Sequence, residues 1–246
     1  KEFTLIKQHI YTDTVPFPNN PDKSGIEPNV VIIFSEGMSA RSIGTYGSKY
    51  PDLTPNIDDL ANSSMIVRGY YNHTAATYRG LHGQLCSLFP KMGGMGARSS
   101  GNTEISGNRY LSLADLFNRQ GYDCIFLDSH HKEHTSHVDD MMAKLGFVTV
   151  MTFDALADKF LKNSSPLGDG TYSDRQYFDS VVGFLKERAT KGKIDVPFFM
   201  SLYNFGTHPF LKNSKDGVRY GAGKNTALNN IHNFDHAFGR FLNYFK

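Results

Sequence analysis

The feature that most narrows the choice of fold is residues 29–34, an apolar and largely β-branched run without polar alternation. A run of that length and composition predicts a strand buried on both faces of a parallel sheet. It ends at Ser35, Glu36 and Gly37, so a carboxylate stands at the C-terminal tip of the strand. Residues 124–127 and 197–203 predict two further buried strands, and residues 65–71 a short one.

Helical patterns fall between them. Residues 54–61 read as an N-capped helix with Pro55 in its first turn. Leu81, Leu85 and Leu88 lie at helical spacing, so residues 78–89 predict a helix that starts near Thr77. Residues 111–119 predict an amphipathic helix ending at Gly121, and residues 138–145 one closed by Gly146. Residues 174–189 predict a long helix. Residues 231–245 predict a last one, with Ile231, Phe234, Phe238 and Leu242 on one face. Residues 91–108 and 160–173 read as loops. Residues 1–28 read as an extended arm or linker. Strands alternating with helices give an α/β fold, a mostly parallel central sheet with helices on both faces. Sites in such sheets lie at the C-terminal strand ends, here Glu36, residues 128–131 and residues 204–208.

Composition removes several classes of function. Twenty-six Lys and Arg stand against 24 Asp and Glu in 246 residues, a net charge of +2. No basic stripe offers a nucleic-acid surface. The longest apolar run is strand-length, far below the ~20 residues that span a bilayer. The polar opening, residues 1–8, is not a signal peptide, so any membrane anchor is expected outside this chain. Two cysteines, Cys86 and Cys124, cannot make a disulfide framework. Their apolar neighbours suggest buried thiols, with a single bridge left as the alternative.

Three residues carry candidate chemistry. Glu36 at a strand tip suits a hard or borderline metal ion or the macrodipole of a following helix; local sequence leaves both open. Thr77, with Thr74 as its competitor, falls at a helix N-terminus. There its hydroxyl is either a plain cap or a nucleophile activated by a metal beside N–H groups that suit a tetrahedral anion. His208 follows a strand and could hold an anionic oxygen or shuttle a proton. The run 128–137 contains His130, His131, His134 and His137. A polar loop at the cleft rim is preferred there over a zinc site, because Ser129, Thr135 and Ser136 disfavour the helix such spacing would need. Nucleophile-elbow, phosphate-loop and dinucleotide-binding motifs are absent.

Taken together, several segments resemble the sulfatase-like branch of the alkaline phosphatase superfamily. They are residues 29–36, the pair Tyr46-Gly47, residues 54–61, residues 77–81 with 85–90, the pairs Gly146-Phe147 and Ser173-Asp174, and residues 197–210. Within that branch the resemblance is nearest the lipoteichoic acid synthase and phosphoglycerol or phosphoethanolamine transferase group. Sulfatases mature a Cys or Ser in a Cys/Ser-x-Pro-x-Arg motif. That motif is missing here, and Thr77 matches the unmodified threonine of the transferases. The resemblance implies that Thr77, on a divalent metal held by Glu36, attacks the phosphorus of a phospholipid head group. Diacylglycerol leaves, and a hydroxyl of a glycan or polymer then accepts the group. His208 would hold the phosphate or protonate the leaving group, and Arg79 would add charge stabilisation. Manganese is the expected metal, with magnesium or zinc as alternatives. The expected location is the bacterial cell envelope, outside the cytoplasmic membrane.

The family completes its metal site with an Asp-His pair on a later strand. The only such dipeptide here, Asp235-His236, falls in a predicted helix, and Thr171-Tyr172 replaces a frequent Trp-Gly pair. Residues 29–246 are therefore expected to be a catalytic domain lacking its C-terminal part, with weak metal binding and an exposed apolar sheet edge. An ester hydrolase of the same fold and a non-catalytic lipid- or partner-binding relative are the alternatives.

Overall fold

The computed structural model describes residues 27–71, 76–89, 110–131, 138–162, 164–168 and 172–246. The arm at residues 1–26, Thr74, and the loop at residues 91–108 lie outside the described residues.

Among the described residues, four strands form one parallel sheet: β1 (Val30–Ser35), β2 (Asp123–Asp128), β3 (Thr149–Met151) and β4 (Phe198–Asn204), in the order β1-β4-β2-β3. Seven helices accompany them among the described residues: α1 (Pro55–Ala61), α2 (Thr77–Cys86), α3 (Leu113–Arg119), α4 (Val138–Lys144), α5 (Phe153–Phe160), α6 (Asp174–Thr190) and α7 (Thr226–Leu242). Successive strand residues point to opposite faces, and the helices divide accordingly. Ile125, Leu127, Phe198, Met200 and Leu202 pack with α5, α6 and α7. Cys124, Phe126, Phe199 and Tyr203 pack with α2, α3 and α4 on the other face. Both faces are covered, as the alternation of strands and helices predicts.

Side-chain caps explain several helix starts. Ser112 with Asp115 caps α3, and Ser173 with Gln176 caps α6, each by reciprocal hydrogen bonds. α7 begins at Thr226, earlier than the apolar stripe indicates, because Asn225 accepts from the Leu228 N–H. α1 is capped from a distance. Thr54 makes no side-chain cap bond. Instead Asp235, fully buried in α7, accepts from the Asn56 N–H at 3.0 Å, the Asn56 side-chain amide at 2.8 Å and the Ile57 N–H at 2.8 Å. The only Asp-His dipeptide of the chain thus joins α7 to α1.

Several expectations need correction. Residues 65–71 form no strand; Met65 is 89% and Tyr71 85% exposed, because no neighbouring strand pairs with them. β1 is half-buried along its whole length, since its only partner among the described strands is β4. Residues 149–160 build β3 and α5 in addition to the expected elements. α2 also stops at Cys86, short of Phe89, where Ser87 turns the chain into the left-handed region at φ 52°. A bridge between the cysteines does not form. Both thiols are free, and burial pushes Cys86 up to about 12 and Cys124 up to about 11.

Candidate active site

The C-terminal ends of β1 and β4 and the first turn of α2 converge on one group of oxygens. The Glu36 N–H donates to the Asn204 carbonyl at 3.1 Å, which extends the β1–β4 pairing one residue past β1. The chain then turns at Gly37, whose φ of +64° favours glycine. A β-carbon there would lie 3.2 Å from both the Thr207 carbonyl and the Pro209 ring. The Thr207 hydroxyl donates to the Glu36 carbonyl and fixes the turn from the other side.

Ala76 is the N-cap of α2 and Thr77 its first helical residue, so Thr77 is not the cap. The Thr77 hydroxyl donates to Glu36 Oε2 at 2.8 Å. Tyr203 donates to the same oxygen and also lies 3.2 Å from Thr77 Oγ1. Burial, then the Glu36 carboxylate, push the Tyr203 phenol far above its usual range, so it keeps its proton and acts as a donor. The three oxygens open into a cleft of about 890 Å³ whose walls include Met38, Tyr46, Tyr70 and Gln84.

The other candidates lie outside this cleft lining. Arg79 follows Thr77 by two residues, about 200° around the helix. The α2 residues that line the cleft with Thr77 are Gly80, Leu81 and Gln84. His208 sits on the turn packed against Gly37, with its ring 4.8 Å from Phe205 and 5.4 Å from Phe210. Of the histidine run, His134 and His137 lie outside the described residues. His131 pairs with Asp154 at 2.5 Å, and His130 pairs with the fully buried Asp128 at 2.7 Å.

Sequence reasoning missed Tyr203 and Asp174. Period-two alternation puts Tyr203 on the face that carries α2, but only the register Phe34–Tyr203–Asp128 across three strands reveals its neighbours. Asp174 is buried at the start of α6 and accepts from Asn204 at 2.5 Å and Asn233 at 3.1 Å. Burial raises its carboxyl to about 6 against these hydrogen bonds. It braces the β4 exit, since a β-carbon on Gly206 would lie 1.9 Å from its Oδ1.

Glu36 and Thr77 offer two converging oxygen donors, the ligand type a hard or borderline cation takes. Among the described residues no group of three His, Cys, Asp or Glu side chains gathers to hold a metal. The pair therefore fits part of a coordination shell.

The sulfatase family model matches residues 28–246. Among solved structures, a protein of the alkaline phosphatase superfamily from Vibrio parahaemolyticus is similar with a TM-score of 0.70 and 22% identity, over 89% of this chain and 50% of that one. The lipoteichoic acid synthase LtaP from Listeria monocytogenes is similar with a TM-score of 0.68 and 16% identity, over 94% and 55%. The C-terminal periplasmic domain of EptC from Escherichia coli, in complex with zinc, is similar with a TM-score of 0.55 and 14% identity, over 92% and 61%. The chain thus spans between 50% and 61% of the length of these structures.

Proposed function

Because the chain belongs to the sulfatase family, we propose that it carries the nucleophile side of a phosphotransferase active site. Its reaction would move a phosphoglycerol or phosphoethanolamine head group from a phospholipid to a cell-envelope glycan or polymer. The observation that carries this reading is the Thr77 hydroxyl, hydrogen-bonded to Glu36 and facing an open cleft at the strand ends. An unmodified threonine here supports phosphoryl transfer over sulfate ester hydrolysis, which in this family uses a matured Cys or Ser.

The chemistry follows from the positions of these groups. Thr77 Oγ1 attacks phosphorus and releases its proton toward Glu36, whose Oε2 already accepts it. The phosphorus–oxygen bond to diacylglycerol breaks as the bond to Thr77 forms, leaving a phosphoryl-threonine. Thr77 opens α2, so the attacking oxygen lies at the positive end of the helix dipole, which favours an anionic phosphate. The proton that Glu36 takes from Thr77 passes to the leaving oxygen of diacylglycerol. An acceptor hydroxyl then attacks the phosphoryl-threonine and frees Thr77. Glu36 and Thr77 would hold a divalent cation, manganese or else magnesium or zinc, which lowers the hydroxyl pKa and neutralises phosphate charge. The lipid donor favours a site on the outer side of the cytoplasmic membrane, with the membrane segment elsewhere in the protein. No helix among the described residues is long and apolar enough to cross a membrane.

The test is diacylglycerol release from labelled phosphatidylglycerol or phosphatidylethanolamine by the intact protein with manganese. Thr77→Ala should abolish release and phosphorylation of the protein. Undiminished release by Thr77→Ala refutes the nucleophile. Free head group in place of polymer-bound product refutes the transferase in favour of a hydrolase.

A further inference from the structure

Tyr203 belongs to no part of the chemistry above, yet it touches both residues that do. It is buried near the end of β4, with Phe34 beside it on β1 and Asp128 beside it on β2. Its hydroxyl donates to Glu36 and lies 3.2 Å from Thr77 Oγ1. Its ring stacks on His130, with centroids 5.1 Å apart and planes at 18°. Phe205 also packs against His130, with ring centroids 4.0 Å apart. One oxygen of Asp128 receives both the His130 backbone N–H at 2.8 Å and its ring Nδ1 at 2.7 Å. The result is a column, Asp128 to His130 to Tyr203, whose end is the phenol against the Glu36–Thr77 pair.

We propose that Tyr203 is the positioning residue of this site, holding the Glu36 carboxylate and the Thr77 hydroxyl in register for attack. This rests on the reading of Thr77 as nucleophile. A threonine hydroxyl has one proton, and here Glu36 accepts it. Glu36 also accepts the single proton of Tyr203, and the phenol oxygen lies 3.2 Å from Thr77 Oγ1, so one fixed group orients the carboxylate and packs against the hydroxyl. Its own freedom is removed by the stacked ring and by burial, so it acts as a fixed reference point rather than a flexible tip. Small misplacements of a reacting atom reduce rates by orders of magnitude. Loss of one buried hydroxyl is therefore expected to act on the chemical step, with lipid binding unaffected. Tyr203 also hydrogen-bonds Glu36, the proposed cation ligand, the kind of supporting contact whose loss weakens metal binding.

The experiment is Tyr203→Phe in the intact protein, which keeps the ring and its stack and deletes only the hydroxyl. Three readouts are taken beside wild type and Thr77→Ala: the rate at which Thr77 becomes phosphorylated in a single turnover, followed by mass spectrometry; kcat and KM for head-group release; and Mn²⁺ affinity by calorimetry. Tyr203→Phe should slow phosphorylation and kcat roughly 10- to 100-fold with KM nearly unchanged, and weaken Mn²⁺ binding about 10-fold. A wild-type phosphorylation rate or an unchanged Mn²⁺ affinity overturns the proposal. So does a rise in KM alone, which would make Tyr203 a lipid contact. If Thr77→Ala is still phosphorylated at the wild-type rate, the nucleophile reading has failed, and that result is distinct from a normal rate in Tyr203→Phe alone.

Discussion

Asp235→Ala removes an acceptor that serves three donors at once. The Asn56 N–H, the Asn56 side-chain amide and the Ile57 N–H all lie within 3.0 Å of its carboxylate. Hydrogen bonds to a charged group each contribute roughly 1.5–3 kcal/mol, and a buried donor left without an acceptor costs about 1–3 kcal/mol. These terms overlap, so the loss should be ~4 kcal/mol, with ~2 kcal/mol for Asp235→Asn, which keeps one acceptor oxygen. In a chain of this size 1 kcal/mol moves Tm by roughly 2–4 °C. Asp235→Ala should therefore unfold ~10 °C below wild type and Asp235→Asn about half as far. Thermal and urea unfolding followed by circular dichroism measure both, with Mn²⁺ affinity determined in parallel. Stability equal to wild type would refute the capping role. Lost Mn²⁺ affinity at unchanged stability would show the Asp-His dipeptide to be a metal ligand pair.

Two buried groups should oppose each other on acidification. His82 is 2% exposed, both its ring nitrogens lack a hydrogen-bond partner among the described residues, and burial lowers its pKa from 6.5 to about 4. Below pH 6.5 the unfolded chain takes up a proton that the fold refuses, so about 3 kcal/mol is lost between pH 6.5 and 4. Asp174 has the opposite sign. Its carboxyl is raised from 3.8 to about 6, so ~3 kcal/mol is lost as pH rises from 3.8 to 6. Urea midpoints of His82→Leu should then increase toward pH 4, and those of Asp174→Asn should fall more steeply than wild type; matching slopes in all three proteins would refute both assignments. Gly206→Ala places a carbon 1.9 Å from Asp174 Oδ1 and should destabilise by ~1–3 kcal/mol; an unchanged urea midpoint would mean that the β4 exit is not braced there.

The α/β class was legible because strand runs and helical stripes have different periods. The runs within β1, β2 and β4 are mostly apolar without strict alternation, and Leu81 and Leu85 repeat at helical spacing. β3 was too short, at three residues, to register against that background. Residues 65–71 misled for the converse reason: strand-like composition makes a strand only where a neighbour supplies hydrogen bonds. The helix at residues 231–245 was placed late because Asn225, not the apolar stripe, sets its start.

The amino-acid sequence by itself determined that a carboxylate ends the first strand and that a threonine opens a helix after it. Alternation along each strand also determined which residues share a face. Tertiary structure decided which of these meet. Parallel pairing sets Phe34, Tyr203 and Asp128 side by side, although 169 positions separate the first pair in sequence, and no local pattern encodes that register. It also decided that Asp235 caps a helix, because the two N–H groups it receives belong to residues 179 and 178 positions away. Propensity and periodicity act over a few residues, whereas a site is built from contacts across the whole chain.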